Sequence, residues 1–125
     1  QIGVHFFNTR ADYPDGDASP NESGHTRIAG SAAATPIIIH VIVFVAKRKP
    51  ECIADTLFHE LVHVWFLATQ SGYNVVLGTG HASNASIAID QNCKKTYTGF
   101  DSAFQKQLET FDLDLKNIGA KICCE

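Results

Sequence analysis

The sequence contains no methionine, a single tryptophan and four prolines, and only 18% of its residues are charged. No apolar run approaches the roughly 20 residues that a membrane helix needs. The longest, Ile37 to Ala46, is ten residues and contains His40, so no membrane-spanning helix is expected. A basic excess is missing too: ten Lys and Arg stand against thirteen Asp and Glu, a formal net charge of -3. Nucleic-acid binders that rely on counterion release are normally basic, which sets nucleic acid aside as a partner. No CxxC pair suggests a zinc knuckle. With Gln1 first and no methionine, the chain reads as a mature product or an excised domain.

What is present fits one small globular domain over residues 1–125. A chain of 125 residues, 45% of them hydrophobic, can bury a single core and is too apolar to be wholly disordered. Its four cysteines are Cys52, Cys93, Cys123 and Cys124. An even count in a short chain favours disulfides, each contributing ~2–4 kcal/mol. A bridge between adjacent Cys123 and Cys124 would strain the peptide joining them, so this pair is expected to reach back to Cys52 and Cys93. Two N-x-S/T sequons, at Asn21 and Asn84, agree with export. Secretion is the expectation; the alternative is a cytosolic protein with four buried thiols.

Alternating Ile2, Val4 and Phe6 predict a short strand over 1–7. From Asn8 to about Thr35 the composition turns to Asp, Gly, Ser, Asn, Pro and Ala, which reads as a long loop or lid without regular structure. Pro36 opens a β-branched stretch to Ala46 that predicts a strand buried on both sides, ended by Lys47-Arg48-Lys49. Pro50 suits the first turn of a helix running to about Gln70 and closed by Gly72. At ~100° per residue, Leu57, Leu61, Val64, Trp65 and Ala68 share a broad apolar face with His59 and His63 opposite. A second helix is expected over 102–118, with Ser102 and Gln105 as a capping box and Gly119 as the stop. Its stripe is Phe104, Leu108, Phe111, Leu115 and Ile118. The fold class is α+β: a short sheet packed by a central helix and a C-terminal helix.

One pentapeptide carries the chemistry: His59-Glu60-Leu61-Val62-His63, an HExxH. On a helix, i and i+4 project from one face, so two imidazoles can take adjacent corners of a tetrahedral zinc site. Glu60 lies about 100° round from His59, beside the metal and positioned to hold a water and accept its proton. Such a trio on an otherwise apolar helix is costly without a cation to compensate it. A catalytic zinc needs a third protein ligand. His81, eighteen positions beyond His63 and preceded by Gly78-Thr79-Gly80, is the best candidate. Asp90, Glu109 and Asp112 are its rivals, although a solvated helix face explains the last two. His5 and His40 read as hydrogen-bonded structural residues and His25 as a loop residue. Tyr73 and Tyr97 can each offer a hydroxyl to a developing oxyanion, Tyr73 being preferred.

An HExxH helix preceded by a hydrophobic strand resembles the zincin clan of zinc metallopeptidases, over about Pro36 to His81. The resemblance implies His59 and His63 as ligands, Glu60 as general base, one Zn2+ as cofactor and peptide bonds as substrate. Metzincins have a glycine and a third histidine soon after the helix, whereas here the helix continues through Val64-Trp65-Phe66. Deuterolysin-like aspzincins carry GTxD where this chain has Gly78-Thr79-Gly80-His81. SprT-like proteases place a third histidine in a loop after the active helix, as His81 would be. A gluzincin would need Glu109.

The leading expectation is thus a secreted, monomeric zinc endopeptidase acting on peptides or proteins. The alternative from another class is a non-catalytic, zinc-stabilised binding module in which Glu60 is structural. A disulfide-stapled domain without metal would require an accidental HExxH.

Overall fold

β-Branched residues on both alternating faces of 38–44 put that segment at the centre of a sheet. The computed structural model of the chain describes residues 1–14, 22–29, 38–69, 80–121 and 123–124. Its elements are β1 (Ile2–Phe7), a 3-10 turn (Arg10–Asp12), β2 (Gly24–Ala29), β3 (Ile38–Phe44), α1 (Pro50–Thr69), β4 (His81–Ile89), β5 (Lys95–Phe100) and α2 (Ser102–Asn117). This is the expected mixed α+β composition. The chain divides into two compact units, Gln1–Val64 and Trp65–Glu125, and α1 runs through the boundary.

In the first unit the sheet order is β1-β3-β2, with β1 parallel and β2 antiparallel to β3. Val41, Ile42 and Val43 are essentially inaccessible, as a two-sided central strand requires. Ile42 and Phe44 pack with Tyr13 and Phe7, and the Arg10 guanidinium lies 4.7 Å over the Phe44 ring.

β2 corrects the expectation of an unstructured loop over 8–35. Gly24-His25-Thr26-Arg27-Ile28-Ala29 has little apolar alternation, and its strand is made by pairing with β3, from Gly24↔Val43 to Ala29↔Ile38. Such tertiary pairing overrides a weak local signal. Beyond β3, Arg48 belongs to more than a charged turn. Its guanidinium donates to the Phe44 and Cys52 carbonyls at 2.9 and 3.1 Å and to Thr56 Oγ1 at 2.6 Å, tying the strand end to α1.

α1 starts at Pro50 as expected, but its buried face differs from the one that apolarity selects. Leu61 and Trp65 are 37% and 46% exposed, whereas Thr56, Glu60, Val62, Val64, Phe66 and Leu67 are buried. At about 100° per residue, His59 and His63 fall inside this buried arc, between Val62 and Phe66 on one side and Thr56 and Glu60 on the other. Polar side chains can occupy that arc because they have partners: Arg48 for Thr56, Thr26 for Glu60.

In the second unit β4 and β5 form an antiparallel hairpin. Phe104 of α2 is fully buried, with ring centroids 5.6 Å from Phe66 and 6.0 Å from Phe100. Leu108 is buried as well, but Ile118, expected as the last residue of the buried stripe, is the C-cap residue and 79% exposed. Asp101, not Ser102, is the N-cap residue, and no side-chain cap forms there. The Gln105 amide instead donates to the Asp101 carbonyl at 2.9 Å. Gly119, at φ 87°, ends the helix as expected.

Two disulfides form, and none of the cysteines is free: Cys93 bonds Cys123, and Cys52 and Cys124 are disulfide-bonded as well. They agree with an oxidising, extracellular environment. Among the described residues no helix is long and apolar enough to cross a membrane.

Candidate metal centre

Helical spacing delivers the first two ligands. His59 and His63 stand one turn apart on α1, their ring centroids 5.1 Å apart and the rings near perpendicular. His81 opens β4, and its ring packs edge-on to Phe104 at 5.8 Å and against Phe100 at 5.3 Å. Gly80 makes this approach possible: it has φ +71°, and a Cβ there would lie 2.1 Å from the Phe104 ring. Only glycine tolerates both conditions.

One ring nitrogen from each of His59, His63 and His81 lies within 4.8 Å of the other two, and the three half-buried side chains could hold a metal ion. The donor chemistry fits. His81 Nδ1 is 3.0 Å from the Ala82 carbonyl oxygen, which can only accept, so Nδ1 carries the proton and Nε2 is the ring's lone-pair nitrogen, the one able to ligate. Tetrahedral ligands at 2.0–2.1 Å would have nitrogens about 3.3 Å apart. Three imidazoles suit zinc and other first-row metals alike.

Glu60 is 5% exposed, and its carboxylate is hydrogen-bonded by the Thr26 hydroxyl, which also lies 3.3 Å from the Glu60 carbonyl oxygen. Burial pushes the Glu60 carboxyl up to about 8, the Thr26 hydrogen bond opposes the rise, and the Glu22 charge adds to it. β2 fits closely here: a Cβ at Gly24 would lie 2.8 Å from Thr56 Cγ2 and 3.0 Å from Glu60 Cγ. Sequence reasoning missed Thr26, because nothing local distinguishes one threonine in 8–35 from its neighbours. Recognising β2 as a strand of this sheet was the one route to it.

The rival ligands are engaged elsewhere. Asp90 accepts hydrogen bonds from the amides of Lys94 and Asn92, which hold its carboxyl below the ordinary carboxylate range. Glu109 accepts from Gln105 Nε2 at 2.8 Å. Asp112 pairs with Lys95 at 3.1 Å and accepts from the Tyr97 hydroxyl at 2.7 Å, which commits Tyr97 as well. Tyr73 lies outside the described residues.

Of the other histidines, His5 Nε2 and His40 Nδ1 are 2.9 Å apart across β1 and β3. His25 pairs with Glu22 at 3.2 Å. No family model, no curated protein and no solved structure matches this chain.

Proposed function

We propose that this chain is a zinc-dependent endopeptidase, with His59, His63 and His81 as ligands and Glu60 as general base. The observation supporting the reading is that three imidazole nitrogens converge while the residue after the first of them is a buried, hydrogen-bonded glutamate. Zinc, when bound, polarises water and a peptide carbonyl and makes that water more acidic.

The remaining chemistry belongs to the chain. His59 and His63 fix two ligand directions through the rigid spacing of α1. His81, with Nδ1–H held by the Ala82 carbonyl, supplies a third through Nε2. The charge of a bound zinc would favour the ionised form that burial alone disfavours, and in that form Glu60 takes a proton from the attacking water and returns it to the leaving amine nitrogen. Thr26 orients that carboxylate from β2. The disulfides support secretion, and the substrate class follows from the HExxH resemblance.

The burial of Glu60 favours a second reading, a zinc-stabilised binding module, since a catalytic base must meet water. One experiment separates the two. Purified protein, dialysed against metal-free buffer, is analysed for zinc and assayed on a peptide library beside Glu60→Gln and His81→Ala. About one zinc per chain in wild type and Glu60→Gln, less in His81→Ala, and turnover lost at least ~100-fold in Glu60→Gln are expected of the peptidase. Zinc retained with no hydrolysis by wild type would favour the module. No zinc after reconstitution would overturn both.

A further inference from the structure

The pairing of β4 with β5 is interrupted in an informative way. His81 faces Phe100, but the next paired residue, Ser86, faces Thr98, so residues 82–85 of β4 stand opposite Gly99 alone. Four residues against one make an enlarged β-bulge. A regular strand turns every second side chain inward; here Ala82, Ser83 and Asn84 are three successive exposed residues, and alternation resumes only at Ala85. Gly99 accommodates the bulge: it has φ +79°, and a Cβ there would lie 3.2 Å from Ala85 Cα.

Asn84 and Ala85 of the bulge, with the paired Ser86 that follows, form an N-x-S sequon in which both Asn84 and Ser86 are exposed. In an ordinary paired strand the backbone beside the acceptor is engaged in ladder hydrogen bonds. In the bulge Asn84 stands outside the ladder. The two disulfides agree with a compartment in which sequons of eukaryotic secretory proteins are modified.

We propose that Asn84 is an N-glycosylation site. In the transfer, Asn84 Nδ2 attacks the anomeric carbon of an oligosaccharide carried on a lipid diphosphate. A C–N glycosidic bond forms, the bond from that carbon to the phosphate oxygen breaks, the lipid diphosphate leaves, and the amide proton passes to a base of the transferase. The product is an oligosaccharide standing three residues from His81 on an outward-facing bulge. This assignment is independent of the metal and of peptidase activity.

The test is secretion from a eukaryotic cell line behind the host's own export signal. Intact mass and glycopeptide mapping are read with and without peptide-N-glycosidase, which turns a glycosylated asparagine into aspartate. The expected result is a glycan on the peptide holding Asn84, with that increment lost in both Asn84→Gln and Ser86→Ala and kept in Asn21→Gln. Ser86→Ala keeps the asparagine, so matching losses exclude a folding artefact of the first variant. Secreted wild-type protein with Asn84 unmodified would overturn the proposal, as would a glycan at Asn84 that survives Ser86→Ala.

Discussion

The hydroxyl of Thr26, on the edge strand β2, is hydrogen-bonded to the carboxylate of Glu60 on α1, thirty-four residues away in sequence. The bond anchors a strand with little apolar character to the helix that carries both adjacent histidines. It also gives a buried acid the partner that burial demands. Thr26→Val keeps the shape and deletes the hydroxyl, leaving Glu60 without that partner. In metal-free protein this is expected to cost about 1–3 kcal/mol, read as a lower urea midpoint at pH 7, with Thr26→Ser recovering most of the loss. A Thr26→Val midpoint equal to wild type would mean that the bond contributes nothing to stability.

The buried carboxyl also sets the pH dependence of the metal-free fold. The Glu60 pKa rises from 4.5 to about 8 on folding. Between those values the unfolded chain releases a proton that the folded chain keeps, so stability falls as pH rises across this window. The slope approaches about 1.4 kcal/mol per pH unit in mid-window, falls to about a quarter of that at pH 4 and vanishes toward pH 3. Urea unfolding of chelator-treated protein from pH 4 to 8.5 should show this decline, and Glu60→Gln, which has no proton to lose, should flatten it. Parallel profiles for the two proteins would show that Glu60 is not the group responsible.

Two glycines with positive φ separate backbone strain from steric overlap. At Gly119, φ is +87° and a Cβ would meet nothing within 4 Å; at Gly80, φ is +71° and the same atom would meet the Phe104 ring at 2.1 Å. Gly119→Ala is therefore expected to cost only about 1 kcal/mol, the left-handed penalty alone. Gly80→Ala adds displacement of a fully buried ring, about 3 kcal/mol or more in total, and should weaken metal retention by moving His81. Thermal unfolding of both variants reads the contrast, and equal melting temperatures would contradict it.

Much of this was legible in the sequence where the signal was periodic or positional. β-Branched alternation located β3, Pro50 and Gly119 marked helix ends, and HExxH spacing named His59 and His63. His81 was reached from its glycine-rich approach, although Gly80 is needed chiefly for the closeness of Phe104. Hydrophobicity misled on α1, because the buried arc there contains Thr56, His59, Glu60 and His63, while Leu61 and Trp65 lie outside it. A helix that buries its polar residues and exposes apolar ones breaks the local rule at the place where function is expected. β2 was illegible because its pairing with β3 and the Thr26 bond are long-range.

The turn joining β4 to β5 holds Cys93 at φ 63°, a left-handed conformation that a β-carbon disfavours by about 1–2 kcal/mol. The surrounding hydrogen bonds impose it: Asp90 Oδ1 accepts from the Asn92 and Lys94 amides, and the Cys93 amide donates to the Asp90 carbonyl at 3.0 Å. The disulfide to Cys123 spans a sequence separation of 30 and should add about 3–4 kcal/mol by restricting the unfolded chain. Its loss and the turn strain can be measured separately. Cys93→Ala with Cys123→Ala removes the bridge and keeps the strain, and should lose most of that stabilisation. Cys93→Gly with Cys123→Ala removes both, and is expected to be more stable than the alanine pair by up to about 1 kcal/mol, the entropy of the added glycine offsetting part of the relief. Urea unfolding of the two double variants gives the difference directly, and a glycine pair no more stable than the alanine pair would mean that the turn carries no net strain at this position.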